Sequence, residues 1–292
     1  MVTGFCDAEA CFTVSISIKS EDKWRIRGSF EINLHLKDIN ILYKIKKFFK
    51  NIGNINIRKN KNICVYRVTK IKDLNNIILP HFDNFPLLSR KYSDYNFWKK
   101  IINLMLLKKH LTKNGFYSIL KLYASINRGI SKQVSYYYSN IEPFRKIKSK
   151  HPNKLNPYWV SGFVAGDGSF VLGLRRNTMN NKRFGIYYNF NIAQDSKDLK
   201  LMKLFISYFK CGKVILRMNK SISRCDYLVQ DLNSIMNNII PHFDKYSLEN
   251  IKSLDFSDFK SVMEILYKKE HRNTDVQNYI INIIKRMNLN RK

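Results

Sequence analysis

The sequence predicts an α+β chain made of two like halves, and three observations carry that expectation. A short apolar, small-residue segment occurs twice, MVTGFCDAEACF at 1–12 and WVSGFVAGDGSF at 159–170, each time ending in an acid ahead of an aromatic-rich stretch. Gly4 answers Gly162, Ala8 answers Gly166, Glu9 answers Asp167 and Phe12 answers Phe170, always 158 residues apart. Further matches follow in order. Residues 34–53 are similar to 193–212, and PHFDNF at 80–85 matches PHFDKY at 241–246 with a spacing of 161. The same spacing pairs Lys91 with Lys252, Asp94 with Asp255, His110 with His271 and Asn127 with Asn288. Finally, helical and strand periodicities succeed one another in the same order in both halves.

Residues 1–9 read as the first helix, and 12–36 as two strands around the polar turn Ser20-Glu21-Asp22-Lys23. Arg25, Arg27, Ser29, Glu31 and Asn33 alternate with Ile26, Phe30 and Ile32, the pattern of a strand with one wet, partly basic face. Ile41, Ile45, Phe48 and Phe49 space a helix over 38–50. A second hairpin runs over 54–69, turning at Lys59-Asn60-Lys61-Asn62, and helices fit 71–79, 89–107 and 115–127. The second half repeats this with strands near 169–177 and 184–194, a helix at 197–210, strands near 213–218 and 225–230, and helices at 231–240, 248–268 and 275–288. Each half reads αββαββα, which sets domains at 1–128 and 157–292. The segment 129–156 opens with Gly129, carries Pro143 and Pro152, runs up to Pro157 and is dense in Lys, Ser and Asn, so it reads as a linker.

Of 292 residues, 45% are hydrophobic, enough for a core in each half. Lys and Arg number 52 against 22 Asp and Glu, a formal charge of +30 spread through both halves, so the folded surface itself is positive and favours a polyanion. Cys6, Cys11, Cys64, Cys211 and Cys225 form no CxxC pair and no Cys/His ligand set, which argues against zinc and for reduced, buried thiols. No apolar run is long enough to span a bilayer, and no secretory signal or transit peptide opens the chain. Abundant Ile, Asn, Lys, Tyr and Phe with little Pro fit translation from A+T-rich organellar DNA, pointing to the mitochondrion, with the chloroplast as the other organelle that fits.

The twin segments resemble the signature motif of the LAGLIDADG homing endonucleases in their single-chain, two-motif, intron-encoded form, and the resemblance covers nearly the whole chain. It implies two pseudo-symmetric domains whose antiparallel sheets form a DNA-binding saddle. Gly4 and Ala8 share one helix face, as do Gly162 and Gly166, so two helix backbones can approach closely. Glu9 and Asp167 then stand at helix C-termini, where a carboxylate is unfavourable unless a cation compensates. Mg²⁺ supplies that compensation through hard oxygen ligands. In the family the acid at this position binds the metal, a role carried here to Glu9 and Asp167. Asp7 has Ala165 as its counterpart and reads as structural or solvent-facing.

Lys91 and Lys252 match a basic residue that faces the cleavage centre in family members, where a lysine stabilises charge on phosphorus and organises the attacking water. Gln194 matches a polar position near the site; its counterpart Leu34 cannot serve so, and the half-sites are expected to differ. Histidine pairs His81/His242 and His110/His271 sit beside apolar helix patterns and read as packing or capping groups. Base readers in the major groove are expected among Arg25, Arg27, Asn33, Arg175, Arg176 and Asn191. Two departures stand out. Ala10 replaces the usual Gly after the first acid, a strain of about 1 kcal/mol if that position needs φ > 0. Met1 aligns with Trp159, which leaves the first signature helix short at its start and raises the expectation of a processed or truncated piece. The resulting expectation is a monomer that cuts double-stranded DNA with Mg²⁺. The alternative is an intron maturase, which would bind intron RNA on the same fold.

Overall fold

Strand alternation builds one four-stranded antiparallel sheet in each half. The computed structural model describes residues 1–20, 23–127, 129–176, 184–218, 223–288 and 291, apart from the side chains of Arg176, Phe184 and Met218. Glu21 and Asp22 of the expected first turn therefore lie outside the described residues. The first half holds α1 (Val2–Glu9), β1 (Ala10–Ser20), β2 (Lys23–His35), α2 (Ile39–Phe48), β3 (Asn54–Arg58) and β4 (Ile63–Val68). It continues through α3 (Ile71–Asp73), a π-helical turn at Leu74–Ile78, α4 (Leu79–Asn84), α5 (Lys91–Leu106), α6 (Lys113–Ala124) and α7 (Lys132–Tyr137). The second half repeats the order with α8 (Pro157–Asp167), β5 (Gly168–Arg176), β6 (Phe184–Asp195), α9 (Leu199–Phe209), β7 (Lys213–Met218) and β8 (Ser223–Val229). After it come α10 (Leu232–Ser234), a π-helical turn at Ile235–Ile239, α11 (Ile240–Lys245), α12 (Lys252–Tyr267) and α13 (Thr274–Arg286). Sheet orders are β1-β2-β4-β3 and β5-β6-β8-β7, the same topology twice.

Ala10, Phe12, Val14, Ile16 and Ile18 are buried along β1 while the residues between them are not, so one face of the sheet meets the helices. On that face an aromatic cluster recurs position by position. Phe12 has the rings of Phe30, Phe82, Tyr95 and Trp98 at 5.2–5.6 Å. Phe170 has those of Phe190, Phe243, Phe256 and Phe259 at 5.2–5.4 Å. Each ring of this kind removes roughly 150–250 Å² from water, so the two clusters anchor the helices to their sheets.

The helices expected to stop at 79 and 240 continue to Asn84 and Lys245. Pro80 and Pro241 fall at the start of α4 and α11, where the missing N–H costs no helical bond, and the preceding π turn absorbs the change of pitch.

The compact units are residues 9–151, and residues 1–8 together with 152–292. This division departs from the sequence boundaries at both ends of the first half. The 129–156 stretch does not run as an open linker, because residues 129–151 belong to the first unit. Val134 of α7 is fully buried, and the Gln133 side chain donates to the Ile18 carbonyl at 3.2 Å. Further on, Phe144 N donates to Ser125 Oγ at 2.7 Å, Ile147 N donates to Ser93 Oγ at 2.9 Å, and Lys146 pairs with Asp94. Strand-edge and helix-start polar groups need partners, and this segment supplies them.

In the second unit α1 packs directly on α8. A Cβ on Gly4 would lie 2.0 Å from the Trp159 carbonyl oxygen, and one on Gly162 would lie 2.1 Å from that of Met1. Gly162→Ala is therefore expected to lose about 2–3 kcal/mol of unfolding free energy in urea titrations. Gly185→Ala, whose Cβ would come no closer than 3.7 Å to another atom, is the control and should shift stability by less than about 1 kcal/mol.

Candidate functional site

The second signature helix is built to end where it does. Asn156 caps it, its side chain accepting from Tyr158 N at 2.9 Å and Trp159 N at 3.2 Å, with Pro157 at the first turn. Trp159 through Ala165 are buried, and Ser161 Oγ donates to the Tyr246 carbonyl at 2.7 Å. The helix stops at Asp167 and β5 begins at the next residue. Gly168 there has φ −83° and ψ 160°, ordinary extended backbone, and a Cβ on it would stand 2.5 Å from Val164 Cγ1. Glycine is thus demanded by space. Ala10, in the matching position, has no positive φ, so the expected strain at the first helix exit is absent.

The end of α8 presents carbonyls beyond the reach of intrahelical N–H groups, Val164 O alone taking the cap N–H of Gly168, and two side chains at the entry to α12 bond to them. Asn250 Nδ2 donates to Ala165 O at 2.8 Å. Lys252 Nζ donates to Val164 O at 3.0 Å, Gly166 O at 2.7 Å and Gly168 O at 2.6 Å. A cation here opposes the partial negative charge of the helix end beside Asp167. Gln194 Nε2 donates to Asp167 Oδ2 from the end of β6. Asp167, Gln194 and Lys252 are thus brought together, all half-buried, in one unit. The ammonium's three hydrogens go to backbone carbonyls, which makes Lys252 a positioning residue in this arrangement.

In the first unit Glu9 closes α1 half-buried, and Lys91 starts α5 as Lys252 starts α12. Burial pushes the Cys11 thiol up and the Lys91 ammonium opposes it, which locates Lys91 beside the start of β1. Leu34 holds the strand position of Gln194 and offers no donor.

Asp7 is only 1% exposed and accepts from Trp159 Nε1 at 3.2 Å. It is structural, and the solvent-facing expectation is corrected. Arg25, Arg27 and Asn33 stand exposed on the polar face of β2, and Asn191 is half-buried on that of β6. Arg175 is exposed, and alternation along β5 gives it the polar-face parity. The position of Arg176 carries the parity of Phe170 and Leu172, and its side chain lies outside the described residues. Sequence reasoning missed Asn250; Asn-x-Lys ahead of a long helix was the available signal.

His81 packs edge-on against Phe48, Phe49 and Phe82. His242 is 8% exposed and lies 3.1 Å from both Ser161 Oγ and Tyr208 OH. Burial lowers both imidazoles to about 4.

Among the described residues no three His, Cys, Asp or Glu gather as a preformed metal cage. Mg²⁺ needs less than that. It is commonly held by one or two carboxylates, waters and substrate phosphate. A helix-end carboxylate steadied by an amide offers hard oxygen donors that fit such a cation.

Duplicated helices that end in a carboxylate and lead straight into a four-stranded antiparallel sheet define a two-motif nuclease architecture. The chain belongs to the LAGLIDADG endonuclease family, whose sequence profile matches residues 2–102 and 160–263. It is 34% identical to the probable intron-encoded endonuclease 2 of Neurospora crassa over 97% of this chain and 63% of that protein. It is 31% identical to the probable intron-encoded endonuclease 3 of the same fungus over 92% of this chain and 50% of that one. The chain therefore spans about half to two thirds of the length of these relatives. Among solved structures, the meganuclease I-SmaMI bound to an uncleavable DNA superposes with a TM-score of 0.94 at 32% identity, covering 100% of this chain and 97% of that one. I-SmaMI is also known on uncleaved target DNA in the presence of calcium ions.

Lys252→Met keeps the aliphatic stem and removes three hydrogen bonds to carbonyls, so it should lower the unfolding free energy by about 2–3 kcal/mol in denaturant titrations. A second expectation concerns pH. His242 titrates at about 4 in the folded chain and near its ordinary 6.5 when unfolded, so the unfolded state binds the proton first. This group's contribution is complete above pH 6.5 and is lost as pH falls toward 4. Between pH 7.5 and 5 the loss should be roughly 2 kcal/mol, and His242→Gln should remove that part of the pH dependence of the urea midpoint.

Proposed function

We propose that this chain is a site-specific endonuclease that cuts both strands of a long, nearly asymmetric DNA duplex by Mg²⁺-dependent phosphodiester hydrolysis, and so promotes the mobility of its intron. The observation that carries the reading is the delivery of a carboxylate, Glu9 or Asp167, at the same helix end in each half of a chain charged +30. Family membership and the likeness to DNA-bound I-SmaMI support it.

Glu9 and Asp167 would hold the divalent ions. When bound, the metal supplies an activated water and neutralises charge on the phosphate. The protein's part is placement. Gln194 fixes one oxygen of Asp167, and Lys252 holds the end of α8 rigid and neutralises its dipole. Lys91 does the corresponding work beside β1. Arg25, Arg27, Asn33, Arg175 and Asn191 read base edges from the polar strand faces. Leu34, at the strand position of Gln194, cannot itself serve as a polar group toward Glu9, so the two half-sites are built differently. Two like units in one chain suit a monomer, since the duplication supplies what a second subunit would. The A+T-rich codon signature and the intron-encoded relatives support a mitochondrial setting.

Glu9→Gln and Asp167→Asn remove charge with little change of shape. Each should leave the fold and DNA binding in place while Mg²⁺-dependent double-strand cleavage of target plasmid collapses; full cutting by either would sink the metal-ligand assignment. Stable intron RNA binding by a chain that cuts no DNA would instead mark a maturase. Affinity should fall steeply with salt: with about ten phosphate contacts, log K against log salt should slope near −9, and a slope shallower than about −3 would mean most of the positive surface faces away from nucleic acid.

A further inference from the structure

The polar face of the first sheet carries a cross-strand row whose acid and arginine have no counterparts at the matching positions of the second, where the carboxylate-paired arginine is Arg217, set against Asp226. Cys11 lies opposite Glu31, Glu31 opposite Arg67, and Arg67 opposite Asn54, so the row crosses all four strands. It starts two residues after Glu9, at the end of β1 nearest the acid. The matching row of the second sheet is Ser169, Asn191, Leu228 and Lys213, with a leucine where Arg67 stands and an amide where Glu31 stands.

Arg67 is gripped along one edge. Nη2 donates to Glu31 Oε2 at 3.0 Å, and Nε faces Oε1 at an ion-pair distance of 3.0 Å without hydrogen-bond geometry. Glu31 is itself held from behind. Its Oε1 accepts from Ser29 Oγ at 2.6 Å and from Thr13 Oγ1 at 3.3 Å, and those two hydroxyls are 2.6 Å apart. The Glu31 side chain is 13% exposed and that of Arg67 39%, so the carboxylate is sheltered and the guanidinium reaches outward. A guanidinium is a planar fork of five donors, and occupying the Nε–Nη2 edge turns the Nη1–Nη2 edge away from the carboxylate. That outer edge is the one that matches guanine O6 and N7.

We infer that Arg67, aimed by Glu31, is a specificity-determining residue that reads a guanine in the major groove on one side of the target. The inference rests on the endonuclease reading above. Neutralisation by Glu31 means Arg67 adds little to phosphate attraction. Prior immobilisation of its side chain means that binding pays less ordering entropy at this contact. Both effects turn the residue from general affinity toward base choice. The exposed Arg25 and Arg27 face hydroxyls rather than a carboxylate across the ladder: their strand partners on β1 are Ser17 and Ser15.

The test is selection of binding sites from randomised DNA duplexes by the full chain in calcium-containing buffer, for the natural protein and for Arg67→Gln, Arg67→Lys and Glu31→Gln. The natural chain should enrich one guanine on one side of the site centre, favoured roughly 10- to 100-fold over other bases. Arg67→Gln and Arg67→Lys should erase that preference and keep the rest of the consensus, since lysine keeps the charge and lacks the fork. Glu31→Gln should weaken the same preference and steepen the log–log salt slope by about one, as a freed guanidinium turns to phosphate. An unchanged consensus with Arg67→Gln would overturn the inference. So would a loss spread over all positions together with a lowered melting temperature, the mark of a purely structural pair. Absence of any consensus, even for the natural chain, would overturn the endonuclease reading and this inference with it.

Discussion

Two helix backbones in direct contact are the constraint on which the rest depends. Between α1 and α8 the space for a side chain is nil at Gly4 and Gly162, and each glycine faces a carbonyl of the other helix. The contact fixes the two helices to within an atomic diameter, and neither is followed by a loop that could absorb an error. Strand β1 starts one residue after Glu9 and β5 one residue after Asp167. Within the second unit, any displacement at Gly162 therefore passes along α8 into the start of β5. The buried Asp7 is part of the same arrangement. Its hydrogen bond from Trp159 helps to compensate the desolvation of a carboxylate that is almost fully buried.

Ending a helix in an acid carries an electrostatic cost, because the last carbonyls already present negative charge; near a helix end the effect is about 0.3–1 kcal/mol per charge. Lys252 and Asn250 meet it on the protein's side, before any metal arrives, by taking up four carbonyls of α8 and its exit. This divides the labour. The lysine compensates the backbone beside Asp167, and Gln194 donates to one of that carboxylate's oxygens. Leu34 holds the position of Gln194 without a polar group, so the halves share a scaffold and differ in side-chain chemistry at this strand end.

Much of this was legible in the chain itself. The duplication, the acids at helix ends and the strand faces follow from residue spacing, because helix and strand periods are local properties. Gln194 was legible because its partner Leu34 is so unlike it. What escaped was whatever depends on pairing across the chain. That Glu31 meets Arg67 follows from the β2–β4 register, which alternation alone leaves undetermined. That Lys252 spends its hydrogens on carbonyls depends on where α12 starts relative to α8. The 129–151 stretch looked like a linker from its prolines and polar residues, yet such residues also serve as hydrogen-bond partners for exposed strand edges, and here they do. The helices running past Pro80 and Pro241 were hidden for a different reason: a proline stops a helix in its middle and starts one at its first turn, and composition does not distinguish the two.

The pairing of α1 with α8 has a consequence for how the chain is made. Gly4 meets Trp159, 155 residues later in the sequence. At synthesis rates of about 5–20 residues per second, the first helix waits roughly 10–30 s after emerging before its partner exists. All the while residues 9–151 can build their own sheet and core, since they form one compact unit. This first helix is thus among the last segments to be placed. Its apolar face, Phe5 and Cys6 included, stands exposed to the ribosome and its chaperones for the whole interval, and closure of this long loop is the slow, entropically expensive step by which the second unit becomes whole.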